Sequence, residues 1–247
     1  MPKVAIKCLQ PRPMATRRLL LIPFAGGGAT IFRHWADAFP ADIEVFALQL
    51  PGREERIDEA PFTNWPAMFD ACADALLRWP QLPIALYGHS LGAVIALELA
   101  RLFDNERPAQ LSHLFCAARP WPGEPHAAEL ASIESLDDDG FLQAMRERYG
   151  ELHPSLKINE IRELTLPSLR ADLKLLNSYN YATAQPINCP LTVYSGAHDP
   201  ITTNTNLDSW RQETGNQFSH LSFDGGHFFL ESHQSELTQD MISKLTA

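Results

Sequence analysis

The strongest indication of the fold lies in residues 84–92, where Ile84–Tyr87 is followed by Gly88-His89-Ser90-Leu91-Gly92. A short apolar run leads into a Gly-x-Ser-x-Gly motif, and the apolar helical pattern of Leu91–Phe103 follows at once. In this order of strand, sharp turn and helix, the motif places a serine hydroxyl at a helix N-terminus, where backbone N–H groups favour negative charge. Such a short motif also arises by chance. We predict a nucleophilic serine because the motif lies between a strand and a buried helix.

Short apolar runs alternate with helical patterns along the chain, which predicts a mostly parallel sheet flanked by helices. Besides Ile84–Tyr87, the predicted strands are Arg18–Ile22, Ile43–Gln49, Leu111–Ala117, Leu191–Ser195 and Ser219–Phe223, with Val4–Leu9 as a possible edge strand. The predicted helices are Asn64–Trp79, Leu91–Phe103, Thr202–Thr214 and Ser235–Leu245.

The long stretch between the strands that end near Ala118 and begin at Leu191 shows no strand pattern. Arg119–Glu134 is rich in proline and alanine and is predicted to be a loop. Two helical patterns follow, one with Gly150 as its C-cap and one with Pro167 at an N-terminal position. A run of roughly 70 residues is too long for one crossover helix. We therefore expect a helical lid insertion, residues 119–185, within a single domain of residues 1–247.

Composition excludes several classes of function. The chain has 247 residues, 45% of them apolar, and a formal net charge of −10, which argues against nucleic-acid binding. No apolar run is long enough for a membrane span, and nothing resembles a signal peptide, so a cytoplasmic protein is expected. A monomer is a separate expectation. The cysteines form no C-x-x-C pair, and Cys116 and Cys189 lie in apolar contexts typical of a core. We expect no metal and no cofactor.

A serine hydroxyl needs a base to take its proton, and His227 is the candidate. It lies in the glycine-rich stretch Gly225–Phe229, just after the last predicted strand, and from there it can reach the serine over the edge of the sheet. The alternative is a histidine that merely caps the following helix. His233 lies at the start of the final helix and is expected at the surface.

The acid that orients the histidine is predicted to be Asp199, which follows the strand Leu191–Ser195 and gives the chain order Ser, Asp, His. Some hydrolases carry this acid one strand earlier, but the first acid there is Glu124, well beyond the strand end. Asp224 is three residues from His227 and is expected to shape the loop, as is His198 beside Asp199.

Two backbone N–H groups are candidates for stabilising a tetrahedral oxyanion. One belongs to Leu91, directly after Ser90. The other lies in the glycine-rich loop Pro23–Gly28, where Ala25 is the first candidate and Phe24 the second. A phosphate or dinucleotide site would need the Gly-x-Gly-x-x-Gly spacing, which this loop lacks.

Several motifs in the same order along the chain resemble the type II thioesterases that accompany nonribosomal peptide and polyketide synthases. The matching segments are Pro23–Gly28 (PFAGGG), Phe32–Trp35 (FRHW), Leu50–Glu54 (LPGRE), Gly88–Ala93 (GHSLGA), Leu169–Tyr181 (LRADLKLLNSYNY), Gly196–Pro200 (GAHDP) and Gly225–Leu230 (GGHFFL). GHSLGA occurs in many hydrolases, whereas PFAGGG, LPGRE and the RAD…YNY segment are more specific to this family. The family often has methionine in place of Leu91, where only the backbone N–H is needed.

The resemblance implies an α/β-hydrolase fold and an editing enzyme. Such an enzyme releases wrong or stalled acyl groups from the phosphopantetheine arms of carrier proteins during antibiotic or siderophore synthesis, with Ser90 taking the acyl group. The alternatives are a free-standing esterase, a medium-chain thioesterase of fatty acid synthesis, an acyltransferase, and a non-catalytic carrier-binding protein.

The carriers that the resemblance implies are usually acidic, so two acidic proteins would repel each other at long range. Docking is therefore expected to use a local basic or apolar patch. The simplest interpretation of LPGRE is a turn with Arg53 and Arg56 as surface charges, and Tyr179 and Tyr181 fit an ordinary core.

Overall fold

A seven-stranded sheet forms the centre of the computed structural model, which describes residues 3–124 and 133–246. The strands are β1 (Ala5–Cys8), β2 (Arg17–Ile22), β3 (Ile43–Gln49), β4 (Ile84–His89), β5 (Leu111–Ala117), β6 (Leu191–Gly196) and β7 (Phe218–Phe223). Their order is β1-β3-β2-β4-β5-β6-β7, and every neighbouring pair is parallel except β1 with β3. The predicted mostly parallel sheet with an N-terminal edge strand is confirmed.

Helices connect these strands. They are α1 (Trp65–Leu77), α2 (Leu91–Glu106), α3 (Asp138–Tyr149), α4 (Asn159–Asn177), the short α5 (Phe229–Ser232) and α6 (Gln234–Thr246). Short 3-10 turns occur at Ala29–Phe32, Ala36–Ala38, Glu54–Arg56, Pro154–Lys157 and Leu207–Glu213. Within the described ranges, none of these helices is long and apolar enough to cross a membrane.

The predicted helix Thr202–Thr214 is wrong, because only its second half is helical, as the 3-10 turn Leu207–Glu213. Polar side chains hold the first half in turns. The Thr205 hydroxyl donates to the Thr202 carbonyl, and the Asn206 side chain accepts from the N–H of Asp208. Such local side-chain bonds compete with a regular α-helix.

Alternating residues of the central strands pack on opposite faces of the sheet, as the pleat requires. In β2, Leu20 and Ile22 belong to the core beneath α1 and α2, whereas Leu19 and Leu21 belong to the core beneath α6 and the Ala29–Ala38 turns. Both faces are thus covered, which explains why the strands appear in the sequence as continuous apolar runs.

The described part of the segment between β5 and β6 contains α3 and α4, separated by the turn Pro154–Lys157. Gly150 ends α3 with a left-handed φ of 75°, as predicted. Residues 125–132 of the predicted loop Arg119–Glu134 lie outside the described ranges. The single domain of 1–247 and the lid role of 119–185 stay predictions.

The predicted position of Pro167 is wrong. It lies inside α4, eight residues after the helix begins at Asn159. The first turns of α4 carry the exposed apolar side chains Ile161 and Leu164, which blurs the buried–exposed pattern that would have marked an earlier start. A proline there donates no N–H to the carbonyl of Glu163, so α4 lacks one helical hydrogen bond.

The turn from β4 into α2 is fixed by very close backbone contacts. Ser90 has φ 57° and ψ −111°, a strained conformation for a residue with a side chain. A Cβ on Gly88 would lie 1.9 Å from the carbonyl oxygen of Gly92, and a Cβ on Gly92 would lie 2.2 Å from that of Ile22. Only glycine fits at these two positions, so the motif glycines are required by packing.

We predict that Gly92→Ala destabilises the protein, although alanine normally stabilises a helix interior by about 1 kcal/mol relative to glycine. The added methyl would push against the backbone of β2, at a cost of about 2–3 kcal/mol and a fall of roughly 5–10 °C in Tm. Thermal unfolding followed by circular dichroism measures this change. Gly215→Ala is the control, because its Cβ would meet nothing closer than 4.0 Å. An unchanged Tm for Gly92→Ala would contradict the close contact.

Candidate active site

The three predicted side chains of the site come from three neighbouring parts of one sheet edge. Ser90 follows β4, Asp199 follows β6 and His227 follows β7, at the carboxyl ends of these parallel strands. Ser90 is 5% exposed, His227 2% and Asp199 fully buried. The structure thus places all three together in a site that is largely shielded from water.

His227 is oriented by a buried hydrogen bond. Its Nδ1 lies 2.9 Å from Oδ2 of Asp199, while Oδ1 of Asp199 accepts the N–H of Ile201 at 3.0 Å. Because a carboxylate only accepts, Nδ1 carries the proton in this pair and Nε2 remains the acceptor. The ring of Tyr149 packs against the imidazole at 4.6 Å between centroids. His227 is therefore held in the tautomer that a general base needs.

Ser90 and His227 line the same cavity, but among the described residues no hydrogen bond joins the Ser90 hydroxyl to the imidazole. Such contacts are often loose without substrate and tighten in the complex. The Ser90 N–H donates to the carbonyl of Ala117 at 2.8 Å, so the backbone of Ser90 is anchored to β5.

The two other polar residues near this edge pair with each other. His198 Nε2 lies 2.8 Å from Oδ1 of Asp224, and both side chains are mostly exposed. Asp224 therefore does not reach His227, as the sequence led us to expect. The neighbouring backbones are tied as well, because the His198 N–H donates to the carbonyl of Gly225 at 2.9 Å.

His89 contributes to the site in a way that the sequence motif did not reveal. Its Nε2 lies 2.8 Å from the backbone carbonyl of His227, and its Nδ1 lies 3.3 Å from the Tyr87 hydroxyl. Since the carbonyl only accepts, Nε2–H donates to it. Burial first, and then the repulsion between two protonated imidazoles at His89 and His227, hold the pKa of His89 well below its ordinary value. A neutral His89 thus ties the loop that carries His227 directly to the end of β4.

The glycine-rich loop after β2 lies beside Ser90. Ala25 lines the cavity, and the Gly27 N–H donates to the Phe24 carbonyl at 2.9 Å. A planar peptide points its N–H opposite to its carbonyl, so this bond fixes the direction of the Ala25 N–H. The N–H groups of Ala25 and Leu91 form no hydrogen bond with another described residue, so both are available to a ligand.

Arg53 is not the surface charge that the sequence suggested. It is 4% exposed and forms two hydrogen bonds with the carboxylate of Asp172, at 2.7 and 2.8 Å. Asp172 belongs to α4 and is 1% exposed. The partners lie 119 positions apart, so no local pattern could have revealed the pair. Arg56 is also largely covered and donates to the backbone carbonyls of Gln49 and Lys3.

The cavity has a volume of about 360 Å³ and a mostly apolar wall. Side chains from the segment between β5 and β6 supply much of this wall, namely Met145, Leu152, Leu156, Ile161, Leu164 and Leu169. Across 3–124 and 133–246, no group of three or more His, Cys, Asp or Glu is arranged to hold a metal ion. A serine, an oriented imidazole and free N–H groups beside an apolar cavity can support acyl transfer.

Comparison with known proteins gives concordant matches. The thioesterase domain model matches residues 17–245. The gramicidin S biosynthesis protein GrsT of Aneurinibacillus migulanus is 37% identical over 231 residues, covering 94% of this chain and 90% of that protein. Among solved structures, the type II thioesterase BorB from the borrelidin cluster has a TM-score of 0.87 at 30% identity over 97% of each chain. The RedJ thioesterase of the prodiginine pathway in Streptomyces coelicolor has a TM-score of 0.84 at 30% identity, covering 95% of this chain and 88% of that chain.

We predict that Asp199→Asn lowers the turnover of a p-nitrophenyl ester by about 10⁴-fold, because an amide favours the wrong tautomer of the imidazole. Asp224→Asn is the matched control, since Asp224 also pairs with a histidine at this edge, and its turnover should stay within about twofold of wild type. Steady-state kinetics measures both. Equal losses in the two variants would contradict the assignment of Asp199.

Proposed function

The chain belongs to the thioesterase family, as a type II thioesterase of the kind associated with nonribosomal peptide and polyketide synthases, and from that premise we propose that it edits carrier-bound acyl groups. Its substrates would be aberrant or stalled acyl thioesters on the phosphopantetheine arms of carrier proteins. The observation that carries the proposal is the buried Asp199–His227 pair beside Ser90, on the wall of an apolar cavity. A cytoplasmic monomer fits this role.

The proposed reaction proceeds through an acyl-enzyme. The Ser90 hydroxyl attacks the thioester carbonyl while Nε2 of His227 takes its proton, and Asp199 stabilises the imidazolium. The tetrahedral oxyanion accepts hydrogen bonds from the N–H groups of Leu91 and Ala25. His227 then returns the proton to the departing thiol. In the second half, His227 activates a water molecule that releases the acid from Ser90, and no metal or cofactor takes part.

The cavity supports an acyl substrate with a modest apolar chain. Its volume of about 360 Å³ is at the small end of ligand pockets, and its aliphatic wall lies opposite the polar Ser90 and His227. Phe24, His153 and Phe228 pack against one another, with ring centroids 4.9 to 5.3 Å apart, and line the same cavity. An acyl chain would pack on the aliphatic wall while its carbonyl carbon faces Ser90.

A local basic groove supports docking of an acidic carrier despite the net charge of −10. Arg146, Lys157 and Arg162 line this groove together with one carboxylate, Asp139, and none of the three basic groups forms an ion pair with a described residue. Leu152 and Leu156 line both the groove and the acyl cavity, so the two sites share a wall. An acidic surface bound there would stand next to the site that its phosphopantetheine arm must reach.

The direct test loads a carrier protein with acetyl-phosphopantetheine and follows deacylation by intact-protein mass spectrometry. Wild type should remove the acetyl group, and Ser90→Ala should reduce the rate by at least about 10³-fold because no nucleophile remains. Good turnover of a simple ester by wild type, with no deacylation of the carrier, would overturn the carrier assignment in favour of a free-standing esterase.

The docking groove has its own test. Arg146→Glu should raise KM for the acyl carrier at least about fivefold, because it places a negative charge against an acidic partner, while turnover of a small acyl thioester stays unchanged. Arg78→Glu is the matched control, since Arg78 is an exposed arginine at the C-terminal end of α1 and does not line the groove. Equal KM values for wild type and Arg146→Glu would place docking elsewhere.

A further inference from the structure

We propose that Asp172 and Arg53 are positioning residues that set the geometry of the oxyanion loop, defined here as Pro23–Gly28, and that they couple this loop to helix α4. The inference rests on the proposed function, because it assumes that the Ala25 N–H binds the oxyanion. The loop carries the N–H, whereas the helix carries both a wall of the acyl cavity and the carboxylate that holds the loop.

The carboxylate of Asp172 binds the loop residue Gly26 and the side chain of Arg53 at once. Its Oδ2 accepts the N–H of Gly26 at 2.7 Å and Nη1 of Arg53 at 2.7 Å, while Oδ1 accepts Nη2 of Arg53 at 2.8 Å. Nη1 of Arg53 also donates to the carbonyl of Gly27 at 3.0 Å. The same ion pair therefore holds two successive loop residues, Gly26 through its N–H and Gly27 through its carbonyl.

These contacts determine where the Ala25 N–H points. Gly27 donates to the carbonyl of Phe24, which orients the peptide plane that also carries the Ala25 N–H. Gly26, between them, has a φ of 76° and approaches the Leu169 side chain so closely that a Cβ there would lie 3.1 Å from it. The loop has little freedom, and the Asp172–Arg53 pair is its polar anchor.

Charge balance explains why both partners are needed. Two buried charges stabilise each other only when both are present, and removing one leaves the other without compensation. A lone carboxylate at Asp172 would stand next to the place where a negative oxyanion develops, so Arg53 also prevents a repulsion that would raise the barrier. Arg53, which also lines the cavity, thereby supports the transition state by offsetting the charge of Asp172.

The pair also links substrate contact to loop geometry. Leu169 lines the acyl cavity, and Asp172 follows it by three residues on the same helix, so the two side chains lie on one side of α4. A displacement of α4 would alter the cavity wall and the anchor of the oxyanion loop together. The Ala25 and Leu91 N–H groups therefore both face the oxyanion only when α4 occupies the position seen in this structure.

The test compares Asp172→Asn with Glu213→Gln. Glu213 is an equally buried carboxylate, paired with Arg101 at 2.7 Å, and it does not line the cavity. With a p-nitrophenyl hexanoate substrate, Asp172→Asn should lower kcat by 10- to 100-fold with KM within about threefold of wild type. Glu213→Gln should leave kcat per folded molecule unchanged. Arg53→Lys, which keeps the charge but not the paired geometry, should give an intermediate kcat.

A second readout separates positioning from general damage. A boronic acid analogue, whose tetrahedral adduct on Ser90 uses the oxyanion hole, should bind Asp172→Asn more weakly by the same factor as kcat falls. A non-hydrolysable thioether analogue should bind with unchanged affinity. Unchanged kcat in Asp172→Asn, or equal weakening of both analogues, would overturn the inference. The two proposals fail separately, because this comparison uses a simple ester. If wild type does not deacylate acyl carriers, the proposed function is rejected, but the ester kinetics of Asp172→Asn still test the role of Asp172.

Discussion

The site depends on a constraint of space. No side chain fits between the end of β4, the start of α2 and the end of β2. Gly88 and Gly92 let these three backbones touch. This contact forces the strained turn at Ser90 and brings the first loop residue, Pro23, against the first turn of α2. The two proposed oxyanion donors, Ala25 and Leu91, come from the two backbones in contact. One packing feature therefore positions both Ser90 and these two N–H groups.

Buried ion pairs hold the helical segment between β5 and β6 at two places. Near the cavity, Asp172 of α4 meets Arg53. Beyond the C-terminal end of α4, Tyr181 and Trp121 donate to Oε1 of Glu213, while Arg101 donates to Oε2 of the same carboxylate. The Tyr179 hydroxyl donates to Glu98. Tyr179 and Tyr181, which from the sequence fit an ordinary core, are thus part of a polar network that attaches the segment to α2.

Local patterns predicted most of the fold, because the spacing of apolar residues along a short segment distinguishes a strand from a helix. β3 and β5 have the predicted bounds, Ile43–Gln49 and Leu111–Ala117, and the other predicted strands differ by one or two residues. The proximity of Ser90, Asp199 and His227 followed from the rule that carboxyl ends of parallel strands share one edge.

The sequence could not reveal the Arg53–Asp172 pair or the bond from His89 to the His227 carbonyl, because contacts between distant residues leave no local pattern. It misjudged Pro167 and Thr202–Thr214, where tertiary packing and side-chain bonds override local preference.

The placement of the cysteines has a consequence for redox chemistry. Each proposed turnover frees a carrier arm that ends in a thiol. Such a thiol attacks any disulfide within reach, and with an oxidant present it can form a mixed disulfide with a reactive cysteine. No cysteine is among the residues that line the described cavity. Burial raises the pKa of Cys72 and Cys189 to about 12 and that of Cys116 well above its ordinary value, and the pKa of the exposed Cys8 is raised as well. Since the thiolate is the reactive form of cysteine, the raised pKa values make these cysteines poor partners for a mixed disulfide with the thiol product.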